Sequence, residues 1–208
     1  DFSKDKKAKF SIFLTSVKNP LSYGIVIYDK DNTIEKFLEK PSWGQVFSDQ
    51  INTGIYYVKN EILDYIPEKS FYDFSKDLFP AIMDDGIEIK AYSAEGYWRD
   101  VGNITEYRNA HLDILNGKIK VDLSGNRLDI VGQDVRCESN VEIGDNTDFT
   151  GTVLIGANSK IGMGCKIHNS VIGKNVTIKK GVTIRNSIIW NDVQFESRTR
   201  LSAILIGN

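Results

Sequence analysis

From Val131 onward the apolar residues return every six positions. Val131, Cys137, Ile143, Phe149, Ile155, Ile161 and Ile167 form one series, and four residues after each stand Val135, Val141, Thr147, Val153, Ser159, Cys165 and Val171. The register slips by one residue and resumes at Ile172, Ile178 and Ile184, then slips again to Ile189, Phe195 and Leu201. Glycine follows the aliphatic residue at Gly144, Gly156, Gly162 and Gly173. A helix needs spacings of three and four, and a hairpin strand alternates by two. A sustained period of six with small residues at fixed offsets therefore predicts a parallel β-helix, each hexad one flat wall of a triangular coil. Cys137 and Cys165 fall in apolar columns, which makes them buried, inert thiols. Two lone thiols without close pairing suit neither a disulfide framework nor a zinc site.

The preceding half obeys a different grammar. Residues 10–17, 24–28, 34–38 and 54–58 are short and rich in β-branched and aromatic side chains, as strands are. Asp29-Lys30-Asp31-Asn32 reads as a hairpin connection. Helices are expected over 61–65, 75–83 and 104–115, the last opened by a capping-box-like Asn103 and Glu106 and closed by Gly117. The chain thus divides into an α/β unit over residues 1–120 and an all-β parallel helix over 121–208. It carries 26 Lys+Arg against 28 Asp+Glu, a formal net charge of -2, so no global pull toward nucleic acid or anionic membrane is expected. Any phosphate-binding surface has to be local. Apolar runs such as Ile12-Phe13-Leu14 fall far short of the roughly 20 residues that span a bilayer. With no secretory-type leader, a reducing cytoplasm is the default expectation. The sequence opens without Met and ends inside an apolar pattern, which suggests a piece of something longer.

Three short motifs stand in the first half: Glu39-Lys40-Pro41, Asn52-Thr53-Gly54 and Trp98-Arg99-Asp100-Val101-Gly102. Taken singly they read as a solvated charge pair, as turn chemistry entering a strand, and as a loop acid. Taken in order, with Asn19-Pro20-Leu21-Ser22-Tyr23-Gly24-Ile25-Val26 before them and Phe74-Ser75-Lys76-Asp77-Leu78-Phe79-Pro80 between, they resemble the C-terminal half of the Rossmann-like nucleotidyltransferase domain of sugar-nucleotide pyrophosphorylases. The six-residue repeat resembles the hexapeptide left-handed β-helix that follows this domain in some members. Within the family, Gly96 to Gly102, Phe74 to Pro80 and Asn186 to Val193 look most like mannose-1-phosphate guanylyltransferases, with glucose-1-phosphate uridylyl-, thymidylyl- and adenylyltransferases as alternatives.

The resemblance implies a reaction in which a sugar 1-phosphate attacks a nucleoside triphosphate and pyrophosphate leaves, catalysed by alignment and charge neutralisation. It assigns Lys40 to the sugar phosphate and Glu39 to sugar hydroxyls. Gly24, Asn52 and Gly54 line the same pocket, Gly24 because a missing side chain permits close approach. Asp100 becomes one of two carboxylates on Mg²⁺, a hard cation that prefers oxygen. The family's glycine-rich nucleotide loop and its first metal-binding Asp precede these motifs, and nothing before Asn19 matches them. The expected partners are therefore the missing N-terminal half, the two substrates, and a second copy joined through the β-helix, with neither nucleic acid nor membrane.

Two other classes stay open. One is a non-catalytic pyrophosphorylase-like regulatory or assembly subunit, in which the β-helix mediates contacts. The other is an acyltransferase with a histidine base. Only His111 and His168 are available, and His168 follows the inward Ile167, so it faces outward as an ordinary surface histidine. Trp43, Tyr56, Tyr57, Tyr97 and Trp98 could stack on a base or a sugar, but packing in strands and at a domain interface is the favoured account, and Lys4, Lys6, Lys7 and Lys9 read as a solvated terminus.

Overall fold

The computed structural model describes residues 8–207, which divide between Trp98 and Arg99 into two compact units. Each is described by itself. The basic residues Lys4, Lys6 and Lys7 lie outside the described residues, and Lys9 pairs with Glu61 at 3.3 Å.

The first unit is a mixed five-stranded sheet. Its strands are β1 (Phe10–Ser16), β2 (Gly24–Tyr28), β3 (Ile34–Glu39), β4 (Gln50–Val58) and β5 (Ile89–Ser93), in the order β3-β2-β4-β1-β5. Only the β1/β5 pair is parallel. The expected hairpin joins β2 to β3. There Asp29 Oδ1 accepts the N–H groups of Asp31 and Thr33, each at 2.8 Å, and Asn32 takes φ 60°. Asparagine tolerates that left-handed conformation because its side chain can bond locally.

Short helices α1 (Asn60–Leu63) and α2 (Phe79–Asp84) close the unit. The predicted helix over 75–83 is realised as a widened π-turn, Phe74–Leu78, that runs into α2. Pro80 explains the change, since it has no N–H to give to the carbonyl four residues back. Asp73 caps the turn by accepting from Ser75 and Lys76 at 2.8 and 2.9 Å. Phe10, Ile12, Leu14, Phe79 and Ile82 are fully buried beneath. Each such side chain contributes about 1.5–3 kcal/mol of transfer free energy.

The second unit begins with α3 (Ile104–Leu115), at the predicted bounds. Asn103 accepts from Glu106 N–H at 2.9 Å, and Gly117 at φ 73° ends the helix. The rest is a parallel β-solenoid, as the period requires. One wall stacks Glu142–Ile143, Lys160–Ile161, Thr177–Ile178 and Gln194–Phe195. A second stacks residues 148–150, 166–168, 183–185 and 200–202, and a third stacks 154–155, 171–172, 188–189 and 205–206.

The register slips in the sequence are corners. His168 pairs with Thr150, but Ser170 pairs with Val153, so the bend between the second and third walls loses one residue there. Cys137, Phe149, Ile155, Ile161 and Ile167 point inward as expected. Val131 does not: it is 96% exposed and precedes the first coil, and Ile143 sits at the coil's exposed rim. Both cysteines are buried and free, and burial pushes both thiols above their ordinary value.

Each corner is one residue in the left-handed region. Asn140, Asn158, Asn175 and Asp192 form one column of such residues. Asn146, Gly164, Gly181 and Arg198 form the next, and Gly151, Asn169, Asn186 and Ala203 the third. In the first column the side chains also bond coil to coil. Asn140 donates to Asn158 and Asn158 to Asn175, both at 3.2 Å, and Asn175 donates to Asp192 at 2.8 Å. Replacing Asn158 by Ala removes two of these bonds and puts an ill-suited residue at φ 61°. We expect a loss of about 1–3 kcal/mol in urea unfolding. Asn158→Gly keeps the conformation and should lose less, and equal losses would show that the ladder rather than the backbone angle dominates.

Candidate functional site

In the first unit the strand ends collect most of the residues singled out from sequence. Gly24 opens β2 and is paired in register with Glu39, which closes β3. A Cβ on Gly24 would fall 2.5 Å from Phe37 Cζ and 2.8 Å from Glu39 Oε2. Phe37 cannot simply swing away, because its ring packs edge-on against Phe79 at 5.2 Å. Glycine here is therefore a condition for Glu39 to stand where it does.

Lys40 follows at φ 44°, an unusual conformation for a residue with a side chain, just before the buried Pro41. Its N–H donates to the Tyr23 carbonyl at 3.0 Å, while its side chain is exposed. Such strain persists only where surrounding structure imposes it, and it gathers at functional sites. Tyr23 in turn meets Trp98 edge-on at 5.6 Å.

Asn52-Thr53-Gly54 is not a turn before a strand. It lies inside β4, where the pairing jumps from Leu14↔Asn52 to Ile12↔Tyr56 and the chain bulges opposite Phe13. Gly54 takes φ 77° in the bulge, and Thr53 Oγ1 donates to the Phe13 carbonyl at 2.7 Å. The Asn52 amide is fixed at both ends: Oδ1 accepts from Gly54 N–H at 2.9 Å and Nδ2 donates to the Tyr56 hydroxyl at 2.8 Å. Bulges re-aim side chains in this way beside binding sites.

Tyr56 is the residue that the sequence reading missed, having been set down to packing. Its ring does pack, stacked on Phe74 at 5.1 Å, but its hydroxyl belongs to the cluster. Burial raises the Tyr56 phenol above its ordinary value. The Asn52 hydrogen bond opposes this, and the charges of Glu39 and Asp73 add to it. Gly24, Glu39, Asn52, Tyr56 and Asp73 are thereby brought together. The signal was available, since Asn52 and Tyr56 are an even number of residues apart on one strand, and Asp73 precedes the Phe74 motif as its cap. Of the other aromatics Trp43 is 66% exposed, whereas Tyr57 and Tyr97, at 42% each, are more than half covered.

Asp100 belongs to the second unit and is exposed. Its neighbour Arg99 is tied to α3 by ion pairs to Glu106 and, at 2.7 Å, to Asp113. Asp113 is nearly buried and also receives Lys118 at 2.7 Å. Pinning Arg99 holds the start of the second unit on α3. Among the described residues no three His, Cys, Asp or Glu side chains gather as a metal centre. Asp100 alone offers one carboxylate, too few oxygens to hold Mg²⁺ unaided. The two histidines are occupied locally: His168 Nδ1 meets Thr150 Oγ1 at 2.9 Å and His111 Nδ1 meets the Tyr107 carbonyl at 3.0 Å.

Comparison with known proteins agrees with both units. Residues 132–208 match the EIF2B subunit epsilon LbH domain. A UTP--glucose-1-phosphate uridylyltransferase of Synechocystis sp. is 34% identical, aligned over 79% of this chain and 42% of its own length. A glucose-1-phosphate adenylyltransferase of Clostridium novyi is 32% identical over 81% and 44%, and a mannose-1-phosphate guanylyltransferase of Mycobacterium tuberculosis is 27% identical over 83% and 46%. The chain thus spans less than half the length of these relatives. No helix among the described residues is long and apolar enough to cross a membrane. Residues 1–117 match the nucleotidyl transferase model, more than half of the chain, and together with the glycine-backed Glu39, the strained Lys40 and the bulge at Asn52 this places the chain in the nucleotidyl transferase family.

Proposed function

We propose that this chain supplies the sugar-phosphate side of a sugar 1-phosphate nucleotidyltransferase, with mannose 1-phosphate and GTP as its substrates. The observation that carries the reading is the close register of Gly24 and Glu39, with the left-handed Lys40 next in the chain. It sets an acceptor for sugar hydroxyls beside a cation for the phosphate. The mannose assignment is supported by the Gly96 to Gly102 segment and by the guanylyltransferases among the relatives. The glucose-1-phosphate enzymes named above make UTP and ATP with glucose 1-phosphate the comparison pair.

In this reaction an oxygen of the sugar phosphate bonds to the α-phosphorus of the triphosphate. The bond from that phosphorus to the bridging oxygen breaks, and pyrophosphate leaves with the electron pair. Lys40 neutralises the attacking phosphate and holds it in place, and Glu39 accepts hydrogen bonds from the sugar. The Asn52 amide, held at both ends, is a rigid contact. The Tyr56 oxygen accepts from Asn52, which leaves its own proton to give to a substrate oxygen. Asp100 would supply one carboxylate ligand to Mg²⁺, which would neutralise charge on the phosphates, and the nucleotide loop and the remaining ligands would have to come from elsewhere. A cytoplasmic setting suits these substrates.

The match to a subunit's LbH domain favours a second reading, in which the solenoid assembles copies or subunits and no chemistry occurs. Pyrophosphate release from GTP and mannose 1-phosphate by the complete protein decides between them, and its absence with every sugar and nucleotide pair would leave the assembly reading.

Calorimetry on this chain tests the pocket directly. Lys40→Ala should weaken sugar 1-phosphate binding by about 10- to 150-fold, the loss of a charge-assisted contact of about 1.5–3 kcal/mol. An unchanged affinity returns Lys40 to the solvent. Gly24→Ala should cost about 1–3 kcal/mol of stability by overpacking and weaken binding as Glu39 is displaced.

The raised Tyr56 ionisation gives a pH signature. Because the folded value lies above the unfolded one, the stabilisation is complete below about pH 10 and fades as pH climbs through the folded value. Tyr56→Phe should remove one late step from the absorbance titration at 295 nm and flatten the alkaline loss of stability, whereas an identical titration would place Tyr56 among the exposed phenols.

A further inference from the structure

The second wall of the solenoid carries a charge cluster that the proposed reaction does not use. Lys166, Arg185, Arg198 and Arg200 line a cavity of about 520 Å³, together with Thr183, Gly164 and Gly181. Gly164 and Gly181 occupy two successive positions of a left-handed corner column. With no side chains there, the corner becomes a floor, and Arg198 continues the same column in the next coil. A Cβ on Gly181 would already touch Arg198 Cγ at 3.6 Å. Lys166, Thr183 and Arg200 stand in register on three neighbouring coils, so the cations spread over about 10 Å at the usual strand spacing.

None of the four cations has an ion pair or a side-chain hydrogen bond among the described residues. Elsewhere on the solenoid, cations that face an acid do pair: Lys160 with Glu142 at 2.8 Å and Lys179 with Glu196 at 2.7 Å. Asp148 is the acid at this end. It stands beside Lys166 in register and lines an adjoining cavity of about 290 Å³ with Thr150, His168 and Arg185, yet it makes no bridge to Lys166. Four positive charges without ion pairs, three on one wall and Arg198 at its corner, are a local feature in a chain whose formal net charge is -2. Like charges so placed repel one another, and an anion between them relieves that repulsion.

We propose that this cavity is a binding site for a small anion with two or more linked phosphate groups, such as pyrophosphate or the polyphosphate end of a nucleotide. A cavity of this size suits a small ligand, since such sites run from about 300 to 1,000 Å³. Three arginines offer planar donors that match phosphate oxygens two at a time. The 10 Å span of the cations exceeds one phosphate and matches two or three in a row.

Inorganic pyrophosphate titrated into the whole chain by calorimetry is the test, at 50 and 500 mM salt. Binding in the submillimolar range that weakens at the higher salt is expected, with orthophosphate at least tenfold weaker. The double variant R185Q/R200Q should lose tenfold or more, and R198Q alone several-fold, with melting temperatures kept to show that the solenoid is intact. Lys40→Ala should leave pyrophosphate affinity unchanged, which separates this site from the sugar pocket. Equal binding by R185Q/R200Q overturns the site, as does the absence of binding at millimolar pyrophosphate. Orthophosphate binding as tight as pyrophosphate overturns the linked-phosphate assignment, and a single-stranded oligonucleotide that binds more tightly and displaces pyrophosphate replaces it with a nucleic-acid surface.

Discussion

The solenoid depends on the left-handed corner. A flat strand can turn sharply only where one residue adopts positive φ, and the coil needs this three times per turn. The side chains allowed there are few: glycine without penalty, asparagine or aspartate with a small one, and others at about 1–2 kcal/mol. Most corner positions hold Gly or Asn, and the exceptions Asp192, Arg198 and Ala203 lie in the last coil. The corners fix the phase of the chain, and the phase decides which side chains are inside. Buried small polar residues complete the stack. Ser159 Oγ donates to the Gly173 carbonyl at 2.8 Å and accepts from Val176 N–H at 3.0 Å. Ser170 receives the Ser187 N–H at 3.2 Å. These hydroxyls satisfy backbone groups at the bends, where strand pairing cannot, and burial without such partners would be costly.

How much of this was legible follows from how local the information is. The period of six, the helix over 104–115 and the hairpin at Asp29 each arise from side chains close in sequence, and each was readable. The coil at Val131 was misread because periodicity says nothing about whether a neighbouring coil exists to cover a residue. The bulge at Asn52-Thr53-Gly54 was taken for a turn because the same residues serve both. What distinguishes them is the pairing of Leu14 with Asn52 and Ile12 with Tyr56, a relation between strands some 40 residues apart. The helix expected over 75–83 opens instead as a π-turn at Phe74, because Pro80 has no N–H to complete the first α-turn.

The motif residues were legible as a set, and their geometry was not. Gly24 and Glu39 are 15 residues apart and become neighbours only through the β2/β3 hairpin. Tyr56 was assigned to packing because its ring is apolar, but a tyrosine has two ends that can serve different purposes. Here the ring stacks on Phe74 while the hydroxyl holds the Asn52 amide. Sequence pattern registers the ring. Only the fold registers the hydroxyl.

The two kinds of charge in this protein show why pairing, more than count, separates structure from function. Arg99, Glu106, Asp113 and Lys118 neutralise one another around a nearly buried carboxylate, and their work is to hold one segment on α3. Removing both cations from Asp113 would strand the one nearly buried carboxylate, whereas loss of the exposed Lys118 alone costs little. Among the described residues Lys166, Arg185, Arg198 and Arg200, which line one cavity, have no such ion-pair partners. They stand on a rigid lattice whose spacing is set by backbone hydrogen bonds, not by their own interactions. A cation placed by a scaffold and left uncompensated is already arranged for an anion, because the cost of bringing the like charges together was met during folding.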